Sequence, residues 1–491
     1  IGFYLQDDIK LNPNLTLNLG VRYEAVTEPD EVNGFKHTLG PDPLNVGQPT
    51  NDKFMENPSL LNFAPRIGIA WDPFGDGKTS IRTGYGIFHD TILFYQYANS
   101  MRRNCPVNTT QFVRGANIGF PRPNVPSAPP TECILGPFTS FQAIEYHANQ
   151  PYMQQWNLSI QRELVTGISF TTAYVGSKGT HLLGHRNINT AVPIGTLNGT
   201  KFFGNSGPPL PRRTSNYGDI THWEWGYDSH YHGLSTSLRK RFENNLQFQL
   251  SYTWGKSLDT NTRANSGDVS GPASEPQDTY DIAANYGPSD HHVSQSFRFN
   301  WAYALPTGDL GAVFRGWQLQ GIISLNTGSP LQINNGSGAG LTDYNRDRAR
   351  GQERPNVAPG REPNSVRANG RDPVQYFDPT AYVLHAKGTY GNAGRNTLTG
   401  PGVATVDLSF LKDTDLSENL SLQFRAEIFN LFDRANFGTR GMGLNIFNRA
   451  TGALDPNTGI PTTVGRNSTA GRINETQTPS RQIQFALRLI F

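Results

Sequence analysis

"NLQFQLSYTW", residues Asn245 to Trp254, is the stretch on which the fold turns. In an extended chain Leu246, Phe248, Leu250, Tyr252 and Trp254 fall on one face, and Gln247, Gln249, Ser251 and Thr253 on the other. Such a strand is wet on one side only. The pattern recurs in "LTLNLGVRY" (Leu15 to Tyr23), in Leu420, Leu422, Phe424, Ala426 and Ile428 against Ser421, Gln423, Arg425 and Glu427, and in the closing "RQIQFALRLIF" (Arg481 to Phe491). A soluble sandwich turns the polar face outward, whereas a membrane barrel turns the apolar face outward. Periodicity does not choose between them.

The connections do. Thirteen strands are expected at about 1–10, 14–24, 63–72, 78–88, 153–163, 167–176, 231–241, 245–255, 294–305, 316–326, 402–411, 419–430 and 481–491. Short linkers ("NPN", "PFGDG", "LVTG", "ENN", "PTGDLGAVFRG", "KDTDLSEN") alternate strictly with long ones. Short turns on one side and long loops on the other mark an outer-membrane barrel, while a compact soluble domain rarely carries loops beyond about 12–15 residues. The expected fold is therefore all-β, an antiparallel transmembrane β-barrel occupying residues 1–491. Trp71, Trp156, Trp254, Trp301 and Trp317, with Tyr23, Tyr85, Tyr174 and Tyr303, fall near strand ends as interfacial girdles would. The alternative is that they are core aromatics of a soluble β protein.

Composition agrees. With 51 Gly and 34 Pro among 491 residues, the chain has little from which to fill a large compact core. A net charge of +2 from scattered basic residues gives no nucleic-acid footprint. Mean hydropathy is −0.51 and no apolar run approaches the roughly 18 residues of a membrane helix, but a membrane strand needs only about 9–11. The chain opens directly in "IGFYLQDDIKL", which is expected to be strand and not a signal peptide.

Read in order, "FYLQDDIKLNPNLTLNLGVRYE", "NFAPRIGIAWDPFGDGKTSIRTGYGIFHD", "PYMQQWNLSIQREL", "AYVGSKGTHLL", "HGLSTSLRKRFENNLQFQLSYTWGKSLD", "GWQLQGIISLNTGSPL", "YGNAGRNTLTGPG", "AEIFNLFDRANF" and "RQIQFALRLIF" resemble the TonB-dependent outer-membrane transporters, and within them the Oar-like receptors. The resemblance implies a 22-stranded barrel with a plug, a further small β domain and a TonB-engaging box. These residues match the later part of the barrel only. It implies that the terminal aromatic strand is read by the outer-membrane assembly machinery, with Phe491 in the terminal position and Phe485, Leu487 and Leu489 on its lipid face. The implied partners are outer-membrane lipid, an extracellular solute and, through N-terminal parts not in this chain, the TonB system. Anchoring of surface factors without transport is the rival reading.

Direction adds an expectation. The first and last strands both run toward the short-turn side, so closing the wall on itself would pair them in parallel, whereas single-chain bacterial barrels are antiparallel and even-numbered. Thirteen strands are therefore expected to be part of a larger wall.

Candidate chemistry is sparse. Cys105 and Cys133 fall in one expected extracellular loop, where a disulfide would close about 29 residues and restrict the unfolded loop by roughly 3.5 kcal/mol; two free thiols are the alternative. Asp343, Asn345 and Asp347 form a D-x-N-x-D pattern suited to Ca²⁺, as in similar Oar-like loops, but Arg348 replaces the turn glycine and Arg354 the bidentate glutamate. A solvated polar loop reads better. His222, Glu224, His230 and His232 cluster in "THWEWGYDSHYHG", more as mouth-lining residues than as a metal site, and His291 and His292 read as loop residues. "GDGKTS" ends like a phosphate loop but has Asp72 where glycine is needed and sits in a turn. There is no G-x-S-x-G and no H-E-x-x-H, and the chain is expected not to be an enzyme. Arg22, Arg82, Arg298, Arg425 and Arg488 fall on the polar face, suited to anionic solutes or to ladders with acids such as Glu427.

Overall fold

The computed structural model describes the chain except residues 29–30, 33–35, 46–48, 93–96, 99–103, 105–135, 137–138, 263–274, 307–310, 312, 350–352, 365–371 and 419. Thirteen long strands follow one another in chain order: β1 (Gly2–Asn12), β2 (Leu15–Glu24), β3 (Phe63–Trp71), β4 (Thr79–His89), β5 (Tyr152–Val165), β6 (Ile168–Asn187), β7 (Ile220–Glu243), β8 (Leu246–Asp259), β9 (Gln295–Ala304), β10 (Trp317–Asn326), β11 (Val403–Ser417), β12 (Leu420–Phe429) and β13 (Gln482–Ile490). Each pairs antiparallel with the next, and two short segments, Phe141–Ile144 and Gly287–Pro288, bring the sheet to 15 strands. Among the described residues, β1 and β13 do not pair with each other. Both edge strands are exposed along nearly their whole length.

The short turns have identifiable chemistry. Asn244 (φ 52°) and Asn245 (φ 66°) both take left-handed conformations between β7 and β8, the two-residue turn whose twist matches the flanking strands. Between β3 and β4, Asp72 Oδ1 accepts from the Gly75 amide (3.0 Å) and Oδ2 from the Gly77 amide (2.9 Å). The residue that spoils the phosphate-loop pattern is thus the cap of the turn.

Cross-strand partners keep the two faces separate. Leu17, Ile69, Thr83, Leu158, Tyr174, Leu234 and Trp254 stand side by side across seven strands, and Leu250 lies between Leu238 and Phe299. Their neighbours on the other face are Asn18, Gly68, Gly84, Asn157 and Ser159. The apolar face is exposed, with Trp254 at 58% and Leu158 at 44%, so these rows have no protein core behind them. Where two rings need more room a glycine supplies it. A Cβ on Gly176 would lie 2.3 Å from the Trp156 indole, and one on Gly321 would lie 2.6 Å from that of Trp301.

Buried apolar side chains lie elsewhere. Apart from Ala64, Ala302, Leu411 and the upper end of β7, they belong to the long loops. The largest cluster joins Leu331, Tyr344, Phe377, Tyr382 and Leu398 from the loop before β11 to Ile446 and Phe447 from the loop before β13. These loops fold together as a crown. β6 and β7 reach up to it: they have 20 and 24 residues, against the roughly 9–11 that span a bilayer. The top of β7 (Ile220 to Trp223) takes Phe141–Ile144 as a parallel neighbour. No described helix is long and apolar enough to cross a membrane.

Several expected boundaries change. Strands expected at 167–176 and 231–241 run on to Asn187 and start back at Ile220, because above the membrane they pair with each other and pack on loops, where alternation is not required. "KDTDLSEN" is mostly strand rather than linker: Asp413 and Asp415 continue the inner face of β11 opposite Gln423 and Ser421.

Candidate functional site

The inner face is mostly polar. A concavity of 440 Å³ on it is lined by Arg239, Gln249, Asn300, Gln320, Asp407 and Glu427, with the apolar Ala302, Ile322 and Phe429 among them. The arginines singled out in the sequence all project from this face, but they do not form one ladder. Arg22 pairs with Glu24, Arg425 Nε donates to Gln423 Oε1 (2.8 Å), and Arg298 stands between Ser251 and Ser324. Glu427 lies opposite Ser409 and Gln484, not in an arginine pair. The arrangement offers both signs of charge to water or to a docked polar body.

Above it, the crown is tied together by two buried arginines. Arg395 Nε donates to the Asn285 carbonyl (2.9 Å), and Nη2 donates to the carbonyls of Asp259 (2.5 Å) and Gly287 (3.2 Å) while pairing with the Asp259 carboxylate. Arg354 Nη1 donates to Asn285 Oδ1 (2.8 Å), and burial together with Arg395 pushes its guanidinium down to about 10. Asn396 Nδ2 completes the joint on Asp290 Oδ1 (2.6 Å) and the Pro288 carbonyl (2.8 Å). Three segments, from the loops after β8 and β10, are thereby locked to each other.

The D-x-N-x-D stretch lies in the same crown. Asp343 Oδ1 accepts from the Arg348 amide (3.0 Å), Asn345 Oδ1 from that of Asp347 (3.4 Å), and Asp347 from the Ala349 amide (2.7 Å) and the Tyr390 hydroxyl (2.8 Å). Arg348 takes the left-handed turn (φ 63°) for which glycine was wanted. Glu353 accepts from the amides of Tyr344 (2.7 Å) and Asn345 (3.3 Å). Among the described residues, no three His, Cys, Asp or Glu side chains gather as metal ligands. The oxygens of this loop cap its own turns. His222 Nδ1 meets Glu224 Oε2 (3.3 Å), whereas His232 Nδ1 meets the Tyr174 hydroxyl (2.7 Å) and His230 the Tyr286 hydroxyl (3.3 Å), so the four residues do not converge. His291 and His292 flank Ser257. Cys105 and Cys133 lie outside the described residues.

Burial makes the crown sensitive to pH. Burial, then repulsion from neighbouring acids, pushes Asp347 up to about 7 and Glu353 up to about 8, while burial lowers His385 to about 4. Between the unfolded carboxylate range and about pH 8 the folded crown holds protons that the unfolded one has released, so stability falls as pH rises. Below about 6.5 the neutral His385 opposes that trend, because there the unfolded chain gains a proton that the crown refuses. Above 6.5 that opposition fades and the two acids dominate. From pH 6.5 to about 8 the crown should weaken, by at most about 1.4 kcal/mol per pH unit for each retained proton. Hydrogen exchange over 331–473, corrected for the intrinsic rate, should show it; protection constant or rising across that window would contradict it.

Comparison with known proteins bears on the strand pattern. Residues 1–484 match the family model described as an outer membrane beta barrel domain. Among solved structures the chain is similar to the outer membrane transporter YddB from Escherichia coli (TM-score 0.46, 11% identity, 100% of this chain and 44% of that one). It is similar also to the siderophore receptor PiuA from Acinetobacter baumannii (0.40, 11%, 100% and 42%) and the FrpB iron transporter from Neisseria meningitidis (0.43, 9%, 100% and 45%). The chain spans less than half the length of each. No curated protein sequence matches it. An antiparallel sheet with an exposed apolar face, short turns at one end and a folded crown at the other is matched over nearly its whole length by one family description, and the chain belongs to the outer membrane beta-barrel domain family.

Proposed function

We propose that these residues are part of the barrel wall of a TonB-dependent, Oar-like receptor that takes a scarce extracellular solute through the outer membrane. The observation that carries this reading is the polar inner face of a thirteen-strand sheet whose edges run in the same direction. Such a sheet needs an odd number of further strands to close antiparallel, and a wall that wide encloses a lumen its own side chains do not fill. A plug would occupy that lumen, and the crown would present the solute to it. The exposed Phe485, Leu487, Leu489 and Phe491 of the last strand would be read by the assembly machinery. The test is titration of the complete natural polypeptide with the periplasmic domain of TonB. Saturable binding supports transport, and none opposes it. A second reading, an anchor for surface attachment, draws on the interlocked crown, whose buried apolar cluster and arginine joint would serve as a platform. Failure to bind TonB with the protein intact in the outer membrane would favour it.

A further inference from the structure

β1 carries an acid where its outer face should be apolar. Its outward residues are Phe3, Leu5, Asp7, Ile9 and Leu11, because Leu5 stands opposite Val21 and Asp7 opposite Leu19, while Asp8 turns inward to Asn18. Continuing along the row, Leu19 meets Ile67 and Ile67 meets Tyr85. Asp7 lines one wall of an open groove whose other side chains include Leu5, Leu19, Val21, Ile67 and Tyr85. It lies five residue steps from the end of β1 at Asn12, a rise of about 13 Å on a tilted strand, which is near the middle of a band about 25 Å tall. Asp7 is exposed and has no hydrogen-bonding or ionic partner among the described residues.

Other charges on the outer face of the membrane-spanning rows are cations, and their long stems bring them to an interface. Arg162 reaches the Phe74 ring beside a short turn (5.3 Å), Lys240 Nζ donates to the Glu243 carbonyl in another (2.7 Å), and Lys412 Nζ donates downward to Thr414 Oγ1 (3.0 Å). Lys178 and Lys256 stand at the extracellular level, in the rows of His230 and His232. The short aspartate side chain has no such escape. A carboxylate in hydrocarbon without a partner is costly, and charges held at that depth pair with one another. The free edge of β1 also presents unpaired backbone groups that lipid does not satisfy. Rows of paired residues descend toward the short turns on passing from β7 to β1, so the next outward position beyond Asp7 lies lower still, at the level where this sheet already places Arg162 and Lys240.

We propose that Asp7 is half of an interstrand ion pair within the membrane, its partner an outward Lys or Arg near the periplasmic end of the strand that takes the free edge of β1. This rests on the barrel reading but not on transport. The test uses the complete natural polypeptide in lipid vesicles, reading the temperature at which it loses resistance to SDS. Asp7→Asn, which keeps the shape and removes the charge, should lower that temperature by several degrees, and Asp7→Leu should lower it further, since each strands a cation in lipid. If Asp7 instead faces acyl chains alone, both substitutions remove a penalty and the temperature stays or rises, which overturns the proposal. A fall that disappears when the protein is diluted to monomers places the cation on a second copy and also overturns it. Binding to TonB is measured on the same variants, so failure of the ion pair and failure of the transport reading are separable.

Discussion

Arg395→Ala is expected to loosen the extracellular crown by about 3–5 kcal/mol, the cost of removing one member of a buried, hydrogen-bonded pair and leaving the other charge behind. Both partners are buried, with side-chain exposures of 6% for Arg395 and 4% for Asp259. The substitution strips the carbonyls of Asp259, Asn285 and Gly287 of their donor at once. Arg395→Lys should recover little, because one ammonium does not reproduce a planar fork directed at several acceptors. Hydrogen exchange should show lost protection in the segments around Asn285 and Arg354 while the strand rows stay protected. Unchanged exchange in both regions would mean that the joint is not what holds the loops together.

Leu250→Arg has the second largest expected effect, and it acts on the wall. Leu250 stands between Leu238 and Phe299, with Ile323 next in the row. A cation on the lipid face near the midplane costs about 2–4 kcal/mol, so folding into vesicles should shift to lower urea by that amount. Gln249→Arg, one residue away and pointing inward beside Arg239 and Asn300, should cost no more than about 0.5 kcal/mol. Leu422→Arg and Phe424→Arg should behave like Leu250→Arg, and Gln423→Arg like Gln249→Arg. In a soluble sandwich the order would reverse.

The wall was legible in the sequence because a bilayer imposes a rule at every second residue. All thirteen strands lie where alternation puts them, and the Asn-Asn turn after Glu243 and the Gly turn before Ile168 end them as expected. Legibility stops where the bilayer does. "SKGTHLLGHRN" and "ITHWEWGYDSH" are strand above the membrane, held by pairing with each other rather than by a one-sided environment, and alternation does not mark them. The crown was not legible at all. Leu331 meets Leu398, and Asn334 bridges to Asn445, across separations that no local pattern encodes. Arg354 and Arg395 sit in "ERPN" and "AGRN", which read as polar loop until the fold buries them. Asp7 carried a signal that went unused, an acid in the apolar register of "FYLQDDIKL".

The claim beneath all of this is that the exposed apolar rows face lipid, and a cysteine scan of residues 246–254 tests it most directly, in the complete polypeptide with Cys105 and Cys133 replaced by serine and the protein in vesicles. Cysteines at Leu246, Phe248, Leu250, Tyr252 and Trp254, carrying an environment-sensitive fluorophore, should be quenched by spin-labelled lipid, and those at Gln247, Gln249, Ser251 and Thr253 by a water-soluble quencher instead. Quenching by water at both sets, or by lipid at neither, would contradict the assignment of the sheet to the outer membrane.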